Sequence, residues 1–443
     1  MRDTAAMSEA IFSRLSDEIE GESGRLVALL QRLVRIPSVN PKFERAEGLN
    51  RETEVQDAIE SELAGLGFDT SRSFPFPDRP NLYGRWRGSE ARTLALCGHV
   101  DVVPVGDRRS WTREPFGAEI EGDALYGRGS GDMKAGLVAC LMACRAIWRL
   151  GVELEGGLEF HSVVDEEAGG FGAIEAAARR PAPRAVLVAE STAGSLRPWA
   201  GGLDWVRVVV RGRNGHSSRR FASIYPSEAG RLIPTKSVNA IELGARLLRS
   251  VRELETHWAL TKSFAGMPSG MNTISPGAIF AGAGIDADGL PAVTNNPGIV
   301  PDTCAIDFDL KFLPHERTAD VRRDFEAWIA RFAASDPWLA ENPPRVIWNL
   351  AGLHFPPVNT SVNDPLCEAV AASVLDQGEE PRFEGMLGVT DAAHYAQHGI
   401  STLVYGPAGV NAHAPDESVS VASTLKAAKV IASTIVRYCG VKN

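Results

Sequence analysis

Short apolar runs that end on His, Asp or Glu alternate with stretches of helical periodicity between residues 93 and 190, and this alternation narrows the fold more than any other feature of the chain. Residues 93–97, Thr-Leu-Ala-Leu-Cys, run into Gly98-His99-Val100-Asp101; residues 158–164 run into Asp165-Glu166-Glu167; residues 185–189 run into Glu190. Apolar side chains at helical spacing fill 135–150 and 173–179 between them. Alternating strands and helices predict an α/β fold, an open and mostly parallel sheet covered on both faces. In such sheets a ligand site lies beyond the carboxyl ends of the strands, where His99, Glu167 and Glu190 fall. Helical spacing recurs at 24–34, 54–66, 366–375 and 423–438, and a further strand is expected at 402–405.

After Gly201-Gly202 the texture changes. An amphipathic strand at 204–210 is followed by a long helix at 237–260, strands around 271–280 and 303–312, a helix at 318–332 and a strand at 345–350. That β-α-β-β-α-β order predicts a ferredoxin-like α+β unit inserted into the α/β domain. With 443 residues the chain exceeds the usual single-core size, so residues 1–201 and 352–443 are expected to form one domain and 202–351 the other.

An apolar fraction of 44% and a charged fraction of 23% suit a soluble globular protein, while a net charge of −10 argues against sequence-independent binding to nucleic acid or an anionic membrane. Residues 1–23 are polar and acidic and do not read as a secretory signal. No stretch approaches the roughly 18 apolar residues of a membrane helix. Cys97, Cys140, Cys144, Cys304, Cys367 and Cys439 are scattered without a C-x-x-C pair, which reads as a reduced, cytoplasmic protein with cysteines used as small hydrophobes.

Two imidazoles and several carboxylates stand in five separated motifs. His99 and Asp101 lie in Gly98–Asp101, Asp132 in Gly-Arg-Gly-Ser-Gly-Asp-Met-Lys at 127–134, Glu166 and Glu167 in the second motif of the sheet, Glu190 in the third, and His413 in Asn-Ala-His-Ala-Pro-Asp-Glu at 411–417. A mixed nitrogen and oxygen donor set of this size suits two divalent cations. Asp101, two residues past His99 on extended chain, is expected to share its side and accept the second imidazole N–H. Glu166 and Glu167 are adjacent on extended chain and point opposite ways, so one can ligate while the other faces water.

In number and order these motifs resemble the M20 family of cocatalytic metallohydrolases, which includes aminoacylases, acetylornithine deacetylase, succinyl-diaminopimelate desuccinylase, glutamate-releasing carboxypeptidases and bacterial dipeptidases. The resemblance runs from about residue 26 to the C-terminus. It implies that His99 and Glu190 bind one metal, Glu167 and His413 the other, and that Asp132 bridges them, with zinc as the default and manganese or cobalt as alternatives. It also implies that Glu166 is the general base, that His216 in Gly215-His216-Ser217-Ser218 reaches a neighbouring subunit's site to polarise the scissile carbonyl, and that Asn272 contacts substrate. The inserted domain would serve as lid and homodimer interface. The remaining histidines, His161, His257, His315, His354, His394 and His398, match no ligand motif.

Three departures bear on substrate. Ala393 and Lys311 stand where related enzymes often carry Arg, the residue that forks onto a carboxylate, and the connection 219–236 is longer than usual. Arg219 and Arg231 in that connection, together with Arg220 and Arg382, are candidates to replace the missing charge. The expected activity is hydrolysis of an amide-type C–N bond in a small molecule, such as an N-acyl amino acid. The alternative is an aminohydrolase or carbamoyl/urea-type hydrolase of an aromatic or xenobiotic amine on the same metals. A non-catalytic metal-binding relative would have lost Glu166 or a ligand, and none is lost.

Overall fold

The computed structural model describes residues 2–221 and 236–442. They form two compact units, one built from Met1–Ala200 and Val358–Asn443 and the other from Gly201–Pro357. The second crossing falls after Pro357 rather than Ala351 because the short strand His354–Phe355 pairs with Gly202–Arg211 and so belongs to the inserted unit.

In the first unit the main sheet runs in the order Asp69–Phe76, Arg79–Trp86, Gly156–Val163, Ser89–His99, Ala185–Val188, Ser401–Val404, Leu196–Ala200, Val358–Asn359, with Phe383–Met386 beside Leu196–Ala200. Its centre is parallel: Ser89–His99 lies between Gly156–Val163 and Ala185–Val188, and Ala185–Val188 pairs in turn with Ser401–Val404. Gly156–Val163 and Ala185–Val188 are buried at every position because both faces are covered, and Ala185–Val188 is apolar throughout whereas Gly156–Val163 buries Glu159, His161 and Ser162 as well. Antiparallel strands flank this centre, so the sheet is mixed at its margins. The register sets His99 beside Val163 and Cys97 beside Val188, which brings the three motif-bearing strand ends to one rim.

The helix Ala135–Arg149 buries most of its length in the core, and its first turn lies hard against the strand end that carries Glu190. Gly136 permits that approach: a Cβ there would stand 1.7 Å from the carbonyl oxygen of Ala189. The N-terminal stretch, polar by composition, forms a helix over Arg2–Gly21 whose Phe12, Leu15 and Ile19 enter the core at helical spacing. All six cysteines are buried and free.

The second unit is an antiparallel sheet in the order Ile274–Gly282, Thr303–Phe312, Gly202–Arg211, Arg345–Trp348. The helices Ala240–Thr261 and Thr318–Ala334 supply Leu247, Val251, Leu254, Val321, Phe325 and Ile329 to a core shared with Val206, Val208 and Ile306. This is the expected ferredoxin-like arrangement. Among the described residues no helix is long and apolar enough to cross a membrane.

Candidate metal centre and active site

At the carboxyl rim of the parallel strands, the two oxygens of Asp132 face two different imidazoles. Oδ1 lies 3.1 Å from Nε2 of His99, and Oδ2 lies 3.2 Å from Nε2 of His413. On the His99 side Glu190 Oε1 stands 3.3 Å from Nε2, and on the His413 side Glu167 Oε2 stands 2.9 Å from Nε2. Glu166 Oε2 approaches Nε2 of His99 to 3.9 Å without a hydrogen bond. His99 is fully buried and Glu190 nearly so, whereas the His413 side chain is 55% exposed. Among the described residues His99, Asp132 and Glu167 alone form a group whose donor atoms all lie within 4.8 Å of one another.

The electrostatics explain what such a cluster is suited to hold. Burial pushes the Glu166 carboxyl well above the usual range, and burial together with the charge of Asp132 pushes Glu167 up to about 7 and also raises Glu190. Burial also acts to raise Asp132, but hydrogen bonds to His413 and His99 prevail and hold it low. Hydrogen bonds to Asp132 and Glu167 lift His413 to about 10; burial would lower His99, yet Glu190 and Asp132 raise it well above its ordinary value. The crowded carboxylates are thus balanced in part by the two imidazoles, whose protonated forms they favour. Two divalent cations, one on each side of Asp132, fit this donor set and would take over that balance.

Each side chain is held by its own backbone. The loop of His413 is tied down by Asp416, which accepts hydrogen bonds from Thr112 and Arg113, and by Glu417, which is buried against Arg128. Glu417 Oε1 accepts the N–H groups of Gly131 and Asp132. Asp101 departs from the expected role: Nδ1 of His99 is 2.9 Å from the Asp101 backbone carbonyl and 3.7 Å from its carboxylate. The carboxylate oxygens instead accept the N–H groups of Glu166 and Glu167 and the amide of Asn40. Sequence reasoning missed Asn40, Lys42 and Arg79, which come from segments with no metal-type motif, and Arg128, which lies inside the Asp132 motif without being a metal donor.

Asn272 is buried in the second unit with neither amide atom hydrogen-bonded among the described residues. His216, in the same unit, is exposed and accepts from the backbone of Ser218 at Nδ1. Arg219 is exposed, Arg220 pairs with Glu242, Lys311 pairs with Asp309, and Arg382 donates to the carbonyl of Ala193. Arg231 lies outside the described residues. Ala393 is buried in the helix Ala392–Ala396.

Comparison with known proteins bears on this geometry. The chain is 28% identical to N-formyl-4-amino-5-aminomethyl-2-methylpyrimidine deformylase of Halalkalibacterium halodurans over 97% of its length and 98% of the relative's. It is 27% identical to succinyl-diaminopimelate desuccinylase of a Caulobacter species over 93% and 95% of the two chains. Its fold is similar to that of a dinuclear metal-binding M20 peptidase of Bacillus subtilis, with a TM-score of 0.62, 14% identity, and 94% and 98% of the two chains covered. The family model described as peptidase family M20/M25/M40 matches residues 95–437, so the chain belongs to that family and is a hydrolase of amide-type C–N bonds.

Proposed function

We propose that the protein is a dinuclear-metal deacylase of small N-acyl amines, with His99 and Glu190 holding one cation, His413 and Glu167 the other, Asp132 bridging, and Glu166 as general base. The observation that carries the reading is the division of donors about Asp132, each of whose oxygens faces one imidazole that in turn faces one glutamate, with Glu166 beside the cluster and bonded to neither imidazole. Zinc suits this mixed donor set, and manganese or cobalt would also fit. Bound cations would supply Lewis acidity that polarises the acyl carbonyl and acidifies water.

The residues then divide the remaining work. Glu166, whose carboxyl is raised by burial, takes a proton from the attacking water and delivers it to the leaving amine nitrogen. Asp101 fixes the Glu166 and Glu167 backbone and, through its own carbonyl, the tautomer of His99. His216, supplied by a partner subunit in a homodimer formed through the inserted unit, polarises the carbonyl, and Asn272 with Arg219 or Arg231 contacts substrate. The protein acts in the cytoplasm.

The amine side of the substrate is read as lacking an α-carboxylate, since Ala393 offers no guanidinium, and similarity to N-formyl-4-amino-5-aminomethyl-2-methylpyrimidine deformylase supports an amine that carries an aromatic ring. The test is metal analysis of purified protein joined to a hydrolysis panel of N-formyl, N-acetyl, N-succinyl and N-carbamoyl amines, dipeptides and aryl amides. Turnover of N-carbamoyl compounds alone would favour the carbamoyl-hydrolase alternative, and no turnover with metals bound would favour a non-catalytic relative.

A further inference from the structure

The turn that presents Glu166 and Glu167 is held by an ionic anchor on Asp165 whose partners lie outside the metal-type motifs. Asp165 has a left-handed backbone, φ 71°, and is wholly buried. That region is uncommon for a non-glycine residue, although aspartate enters it more readily than most, and local contacts help to hold it there. The side chain shows how: Oδ1 accepts from Arg79 Nη1 at 2.7 Å and from Asn40 Nδ2 at 3.1 Å, and Oδ2 accepts from Lys42 Nζ at 2.5 Å. Arg79 is itself fixed by a bidentate pair with Glu52, at 2.6 and 2.8 Å. Asn40 donates to Asp101 as well, at 2.7 Å, and Asp101 accepts the N–H groups of Glu166 and Glu167. Lys42 also lies over the rings of Phe76 and Phe171, 4.5 and 4.2 Å from their centroids, so it clamps the turn at its start and just past its end.

We infer that Asp165, held by Arg79, Lys42 and Asn40, is a positioning residue for the reaction: its contacts fix the turn so that Glu167 faces His413 while Glu166 stays beside His99 as a free base. The inference rests on the proposed roles of Glu166 and Glu167. Stability alone does not account for the arrangement, because a buried ion pair contributes little net stability relative to apolar packing. The contacts lead instead from Asp165 through Asn40 to Asp101, whose carboxylate accepts the backbone N–H groups of both glutamates.

The test uses the full-length protein freed of metal and titrated with Co²⁺ alone, followed by calorimetry and by the visible absorption of the bound ion. Asp165→Asn keeps the side-chain volume and removes the charge, and Lys42→Met removes one partner from a half-exposed position. Both are expected to weaken the Co²⁺ that depends on Glu167 and His413 by about tenfold to a hundredfold, the scale of outer partners of metal ligands, with the other Co²⁺ unchanged. Unaltered affinity and spectrum in both folded variants would overturn the inference. At saturating Co²⁺, on the best substrate of the panel, a cycle with Glu166→Gln separates the two readings. The double variant Asp165→Asn/Glu166→Gln should be no slower in kcat than Glu166→Gln alone. Losses that multiply overturn the positioning role, whereas a Glu166→Gln variant with full activity overturns the role of Glu166 itself. Should Asp165→Asn fail to fold, Lys42→Met alone carries the same comparison.

Discussion

Glu417 Oε1 lies 3.1 Å from the backbone nitrogen of Asp132, joining two segments 285 residues apart at the centre of the candidate site. Glu417 also forms an ion pair with Arg128 at 2.5 Å, and both side chains are essentially excluded from solvent. Glu417→Ala would leave the Arg128 charge buried without its carboxylate and two N–H groups without their acceptor. Thermal or denaturant unfolding should show a loss of about 3–5 kcal/mol, the usual cost of breaking a buried pair from one side. Glu417→Gln keeps an acceptor and should lose less. Equal stability of the wild type and Glu417→Ala would show that the pair does not anchor the Asp132 loop.

Metal content is the second expectation. Saturated protein should hold two divalent cations per chain, and added Zn²⁺ should raise the melting temperature by mass action, by about 2.7 kcal/mol of stability per site at a free concentration a hundred times that site's Kd. Asp132→Ala removes the oxygens that face both imidazoles, so it should lower metal content and abolish turnover. One equivalent at saturation with full activity would contradict the two-metal reading.

In the inserted unit, Asp204 accepts from Nδ1 of His354 at 2.8 Å and from Arg322 at 2.7 and 2.9 Å. Burial acts to raise the Asp204 carboxyl, but those hydrogen bonds outweigh it and hold it below its ordinary value. A carboxyl depressed in the folded state adds stability above its unfolded pKa of about 3.9, and that stability is lost as pH falls through the lower folded value. Asp204→Asn should therefore melt below the wild type at pH 7, with the gap narrowing once pH drops under about 4. A gap that stays constant to pH 3 would rule out this linkage.

His99, Glu167 and Glu190 were legible because each sits in a short motif at the end of an apolar run and a parallel sheet gathers such ends on one rim. Asp132, at the turn before the helix Ala135–Arg149, and His413, in a loop, were legible only through their motifs. The strands Asp69–Phe76 and Arg79–Trp86 were not legible, since the first, at the sheet edge, is half-exposed and neither is a continuous apolar run, although the second is mostly buried between its two neighbours. The Asp101 carboxylate was misplaced for a local reason: the strand ends at His99, so the two-residue period that would put both side chains on one side no longer holds at Asp101. Asn40, Lys42 and Arg79 act through contacts made only once distant segments meet, which no spacing along the chain reveals.

Substrate choice is the remaining expectation. Ala393 is buried in the helix Ala392–Ala396 and presents no donor, whereas an arginine in that segment would fork onto an α-carboxylate with both strength and directional selectivity. Lys311, the other departure, is a point charge rather than a fork and is paired with Asp309 at 3.6 Å. N-acetylornithine and N-succinyl-diaminopimelate should therefore be poor substrates, and N-acyl aromatic amines better ones. A kcat/KM of roughly 10⁴ M⁻¹s⁻¹ or more on either amino-acid derivative, the lower end of values for natural substrates, would show that another group holds the carboxylate. Arg219→Ala and Arg231→Ala would then identify it, through a rise in KM for the carboxylate-bearing substrate that is absent for a neutral amide.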